Sequence, residues 1–108
     1  MAIQPPLSDD AFIKLSSIIN RAANELARAH VAYAEDRMRP RHRTSAFRVR
    51  DYMGMLLADF EDGPLYGSLQ GAGSGMLHHM RVLETEASAL IAAIHNQDDV
   101  RGALERAA

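Results

Sequence analysis

Along the first third of the chain apolar residues recur at Phe12, Leu15, Ile19, Ala22, Leu26, Ala29 and Tyr33, in alternating steps of three and four. That period puts them on one face of an α-helix, whereas a half-buried strand would need steps of two. Ahead of the stripe stand Ser8, whose side-chain oxygen can accept from a free amide, and Asp9 and Asp10 at the positive end of the helix dipole. Leu7 is placed to pack on Phe12 as a hydrophobic staple. The pattern predicts a helix that starts at Ser8 and stops near Met38, because Pro40 disfavours a helical Arg39 and has no N–H of its own.

A second stripe, Val49, Met53, Leu56 and Phe60, predicts a shorter helix capped by Thr44 or Ser45 and stopped by Gly63-Pro64. Residues 63–75 hold five of the seven glycines and no strand pattern, which predicts an irregular connector with Leu65, Tyr66 and Leu69 as anchors. Met76, Met80, Leu83, Ala87, Leu90 and Ile94 predict a third helix from about Gly75 to His95. Asp98 is placed to cap a short fourth one carrying Val100, Ala103, Leu104 and Ala107. The expected fold is all-α: a small helical bundle with one long N-terminal helix, two further core helices and a short C-terminal helix. The whole chain, 1–108, forms a single helical domain.

Length has a consequence for association. At 1.5 Å per residue the three main helices would span roughly 45, 27 and 31 Å. Short links make neighbours antiparallel, so the second helix would return only to about the level of residue 20. Phe12, Ile13, Leu15 and Ile18 would then project beyond the bundle unless the Gly-rich connector covers them. A homodimer that buries these four residues is the expectation. Further strips of apolar or small residues, with Ile13, Ala23, Ala27, Val31 and Ala34 on the first helix and Phe47, Gly54, Met55 and Ala58 on the second, would permit close helix approach.

At 47% hydrophobic and 24% charged, a chain of 108 residues is too apolar to be disordered. The absence of cysteine excludes disulfides, thiolate nucleophiles and iron–sulfur ligation. Uncharged apolar runs such as Tyr52 to Ala58 fall far short of the roughly 20 residues of a membrane helix, and no membrane partner is expected. Met1 to Ser8 lacks the basic and apolar regions of a signal peptide, so the cytoplasm is the expected location.

The net charge is only -2, yet its distribution is uneven. Arg37, Arg39, Arg41, Arg43, Arg48 and Arg50 lie within fourteen residues that contain no acid, and every other part of the chain is net acidic. Arginine suits bidentate contact with carboxylate or phosphate, and Phe47 or His42 could stack on a base. These six arginines are the expected partner-binding residues, toward an acidic protein surface or nucleic acid. The competing reading is a solvated turn in which Arg37 and Arg39 favour the C-terminal end of the first helix dipole. Lys14 is the one lysine against eleven arginines, so arginine richness is also a general property of the chain.

Chemistry is harder to find. His78 and His79 are adjacent on a predicted helix and point about 100° apart, which is poor geometry for one metal ion. His79, His30 and His95 read as boundary or surface histidines. No H-E-x-x-H or E-x-x-H occurs. Gly71-Ala72-Gly73-Ser74-Gly75 could present amides to an anion, but no strand precedes it and no Lys-Ser/Thr follows, so a linker is the simpler reading. An enzyme site between helices would need arginines converging with a polar group. Arg21, Arg28, Arg50, Asp51 and Gln97 are the nominees, with Arg21 and Arg28 to one side of the first stripe. No catalytic residue, metal ligand or cofactor is therefore expected. The chain reads as a non-catalytic helical adaptor or regulatory protein that acts by protein–protein binding. A nucleic-acid-binding module using Arg37 to Arg50 is the first alternative, and a small helical enzyme the second.

Overall fold

The structure, a computed structural model, describes residues 2–69 and 71–107. Three α-helices run α1 (Asp9–Ala34), α2 (Pro40–Glu61) and α3 (Ser74–Ala107), with a single 3-10 turn, Gly71–Gly73, ahead of α3. Among the described residues there is no strand, and no helix is long and apolar enough to cross a membrane. The all-α expectation holds. The arrangement differs in three places, each with a local physical cause.

α1 starts as its sequence dictates: the Ser8 Oγ accepts from the Ala11 amide at 3.2 Å, and Asp9 and Asp10 occupy the first turn. It ends at Ala34, four residues earlier than Met38. Asp36 takes the left-handed conformation at φ 54°, the Arg37 amide bonds back to the Ala32 carbonyl and the Asp36 amide to that of Tyr33. That is a Schellman stop, built here on aspartate where glycine is usual.

α2 begins at Pro40 rather than at Thr44 or Ser45. Proline is well suited to the first helical position, where its fixed φ fits and its missing N–H costs nothing. Arg39 is the cap residue and has no side-chain acceptor to offer. The His42 ring supplies the bond instead, its Nδ1 accepting from the Arg39 amide at 3.0 Å. Arg41 and Arg43 are therefore helical and not part of a connector.

α3 runs unbroken through Asp98 to Ala107, so the short separate C-terminal helix is absent. His95 to Asp99 contains neither glycine nor proline. The Asp98 carboxylate caps nothing, because the Arg43 guanidinium of α2 takes both its oxygens at 2.8 Å.

The core is the expected set of stripes. α1 contributes Leu15, Ile19, Leu26 and Ala29; α2 contributes Ala46, Val49, Met53, Leu57 and Phe60; α3 contributes Met80, Leu83, Ala87, Leu90, Ile91 and Ile94. Leu57 takes the buried place expected for Leu56, which is only partly covered. α2 and α3 form the tightest pair. A Cβ on Gly54 would sit 2.7 Å from the Glu84 carboxylate, so Gly54 leaves room for that side-chain end at mid-seam.

The overhang lies at the opposite end from the one expected. The N-terminal segment lies along the connector, with the Gln4 amide on the Tyr66 carbonyl (2.8 Å) and the Leu7 amide on that of Ser68 (3.3 Å). Leu69 is buried, Leu65 packs against the core and Tyr66 is exposed. Gly67, at φ 80°, lets the Ile3 side chain lie against the backbone: a Cβ there would meet it at 2.5 Å. Leu7 and Phe12 pack against the core at this end, while Ile13 stays exposed. Instead the 34-residue α3, at roughly 51 Å, outruns the 22-residue α2, at roughly 33 Å, past the Arg43–Asp98 contact. The molecule is 61 Å long and 25 by 17 Å across.

Candidate functional site

The six arginines of the Arg37–Arg50 segment point in different directions, because their start is helical and each turn of α2 faces a different neighbour. Arg43 faces α3 and forms the bidentate pair with Asp98. That hydrogen-bonded pair holds the Asp98 carboxyl below the usual carboxylate range and Arg43 above the ordinary arginine value. Arg50 bonds its neighbour Asp51 at 2.9 Å, and its guanidinium lies 5.0 Å from the centre of the Phe47 ring, which in turn leans on His95 at 6.1 Å. Arg37 is held by Glu35. Arg48 reaches across to Glu25 of α1 at 3.5 Å. Among the described residues only Arg39 and Arg41 of the six lack an acidic partner.

On the other side of α2 the groove against α1 gathers a different set. Its middle is a cleft of about 610 Å³ lined by Glu25 and Arg28 of α1 and Arg41, His42, Thr44, Ser45 and Arg48 of α2. Toward the helix turn it continues into a cleft of about 290 Å³ that shares Arg28, Arg41 and His42 and adds Ala27, Val31 and Arg37. In the other direction it continues into one of about 280 Å³ that shares Glu25 and Arg48 and adds Ile18, Arg21, Ala22, Val49 and Tyr52. Five arginines and one glutamate therefore line one groove whose apolar contacts come from Ile18, Ala22, Val49, Ala27 and Val31.

Electrostatics make the groove's lower end costly as it stands. The first turn of α2 contains no acid, while Arg39, Arg41 and Arg43 crowd its positive end. The dipole argument for a solvated turn is thus reversed: α1 has no basic residue in its last turn, and these arginines sit at the unfavourable end of α2. His42 is buried, with 8% of its surface exposed, and its pKa is lowered first by burial and then by the charges of Arg41, Arg37 and Arg39. The ring is neutral at physiological pH. Since Nδ1 accepts from the Arg39 amide, the proton sits on Nε2, which has no hydrogen-bond partner among the described residues. No buried side-chain polar atom among them is left without a partner, so this Nε2–H is accessible from outside the protein, on a residue that lines both the middle cleft and the one toward the helix turn.

Other expected positions fall elsewhere. Of the proposed dimer contact, Leu15 is a core residue, Phe12 and Ile18 pack against the core, and Ile13 alone is fully exposed, at 65%. Arg21 and Arg28 share the groove, whereas Arg50 and Asp51 pair with each other outside it and Gln97 is on α3. His78 and His79 are both exposed, and no group of three or more metal-binding side chains occurs among the described residues. Arg28, nominated from sequence for an inter-helix enzyme site, and His42, nominated for stacking on a base, come together in this groove. Pro40 read as the first residue of a helix, rather than as a stop, would have found His42 three positions into that helix and facing its own cap.

No family model, curated protein or solved structure matches this chain.

Proposed function

We propose that the protein is a non-catalytic helical adaptor whose α1–α2 groove docks an acidic segment of a partner protein. The observation that carries this reading is the charge of the groove: five arginines against one glutamate, alongside apolar side chains, on a chain whose net charge is -2. An acidic amphipathic segment complements both features, with its carboxylates on the guanidiniums and its apolar face on Ile18, Val49 and Val31. From Ile18 to Val31 the groove follows α1 for roughly 20 Å, enough for three to four turns of a docked helix. Nucleic acid fits less well, because no run of aromatic side chains alternates with the arginines to stack bases.

Self-association belongs to the same reading at a new place. A homodimer would use Val100 and Leu104, exposed by 53% and 68% on the free end of α3, since Phe12, Leu15 and Ile18 of the α1 start pack into the core and leave Ile13 alone.

The binding test is fluorescence anisotropy with a labelled 15-residue glutamate–alanine peptide, at rising salt. Arg21→Glu, Arg28→Glu and Arg41→Glu together should abolish binding, and Arg101→Glu with Arg106→Glu should not. Arg43 is left in place, because a glutamate there would face Asp98 and disturb the fold. Equal loss in both variants refutes a groove-directed contact. A duplex DNA of matched charge that binds more tightly, with a log–log salt slope of roughly -3 to -5, would put the nucleic-acid reading in its place.

A further inference from the structure

Within this groove we infer a subsite for a phosphate monoester dianion, carried as a phosphorylated serine or threonine on the docked acidic segment. The inference rests on the groove being the docking site and names the group that its middle cleft selects.

Charge comes first. Three arginines line the cleft, and Glu25 engages one of them, Arg48, at 3.5 Å. Arg28 and Arg41 remain without an acid among the described residues, an excess of two positive charges. A phosphate monoester at neutral pH carries about -1.5 to -2, whereas one carboxylate would leave half of that excess uncompensated.

Donor geometry is the second observation, independent of the count. Arg28 approaches from α1, and Arg41, His42 and Ser45 from successive positions around the first turns of α2. Guanidinium groups on two different helices suit three tetrahedral oxygens better than the two coplanar oxygens of a carboxylate, which one guanidinium can satisfy alone. Thr44 is not among the donors, since its hydroxyl already donates to the Pro40 carbonyl at 3.1 Å.

His42 completes the set. The residue is buried as a whole and its ring is held by the Arg39 amide, while its Nε2–H is accessible and has no acceptor among the described residues. An imidazole fixed as a hydrogen-bond donor, in a cleft that two guanidiniums without a counter-charge also line, is arranged for an anion with several acceptor oxygens. The arginines at the positive end of α2 then have their compensating charge in the ligand.

Three 15-residue glutamate–alanine peptides test this: one with a central serine, one with that serine phosphorylated, and one with two extra glutamates to match the phosphate charge. The phosphorylated peptide should bind about tenfold more tightly than the serine peptide, and more tightly than the charge-matched one. Arg41→Lys, which keeps the charge and loses the fork, and His42→Gln should each remove that gain, read within each variant as the ratio of phosphorylated-peptide to serine-peptide affinity. Thermal unfolding of both variants checks that they fold. If the phosphorylated and charge-matched peptides bind equally, the subsite is refuted and the acidic groove stands. If neither acidic peptide without phosphate binds while inorganic phosphate shifts the His42 ring resonances, the groove reading fails and the anion site stands. No binding by any of the four probes overturns both.

Discussion

The two faces of α2 use the same side chain to opposite effect. Toward α3, arginine meets acid across the seam: Arg43 takes both oxygens of Asp98, and Arg81 pairs with Glu61. Toward α1, five arginines line the groove: Glu25 reaches Arg48 and Glu35 holds Arg37, while Arg21, Arg28 and Arg41 have no acid among the described residues. The first face is matched within the chain, and the second keeps arginines without an acidic partner among the described residues. Arginine content alone does not distinguish them. What distinguishes them is whether the opposing helix supplies a carboxylate at the matching height.

Four substitutions would break or sharpen that contrast. The largest effect belongs to the closed side. Met53 and Met80 are fully buried where α2 meets α3 and α1, and truncation of either to alanine should cost about 2–5 kcal/mol in urea unfolding. Arg28→Gln and Arg41→Gln, on the open side, should change stability by no more than about 0.5 kcal/mol in the same assay. A loss at either arginine as large as at Met80 would mean that the groove is structural.

Asp36→Gly should act in the other direction. Removing a Cβ from a residue held at φ 54° relieves left-handed strain at the end of α1 and should stabilise the fold by about 1 kcal/mol. Asp36→Ala should not.

Smaller effects are legible in pH. The folded-state pKa of Asp98 lies below its ordinary value because Arg43 holds the carboxylate, so the pair's contribution is complete above the ordinary carboxylate pKa. It is lost as pH falls through the lowered value. Asp98→Asn should therefore lower Tm at neutral pH, and the gap to wild type should close in strong acid. His42 has a lowered folded-state pKa for a different reason, burial together with neighbouring arginines, and protonation would take away the acceptor for the Arg39 amide. Its contribution is full above 6.5 and is lost as pH falls through the lower folded value. The wild-type Tm should thus drop more steeply between pH 7 and pH 5 than that of His42→Gln. Identical slopes would show that the ring does not change its charge on unfolding.

Periodicity carried most of the core because burial on a helix is a local matter of spacing, and the stripes from Leu15 to Leu26 and from Met80 to Ile94 are intact. Helix ends were less legible. Asp36 in a left-handed conformation leaves no glycine to mark the stop, and Pro40 has two roles, ending one helix or beginning another, that the sequence alone does not separate. Asp98 looks like a cap until a residue 55 positions away claims it. The groove was partly legible for the same reason. Arg37 to Arg50 stood out as charge. Which of those arginines remain free depends on tertiary partners, Glu25 and Asp98, that charge counting cannot assign, and Arg28 joins the site only when α1 is packed beside α2.

The central claim, that the α1–α2 groove is the open and functional face, is tested most directly by amide chemical-shift mapping with the unphosphorylated glutamate–alanine peptide at low salt. Shifts should concentrate on Arg21, Arg28, Val31, Arg41, His42 and Ser45 and leave Gly54, Arg81, Glu84 and Asp98 unmoved. Shifts centred on the α2–α3 seam or on the free end of α3, or none under conditions where the protein stays folded, would contradict the account.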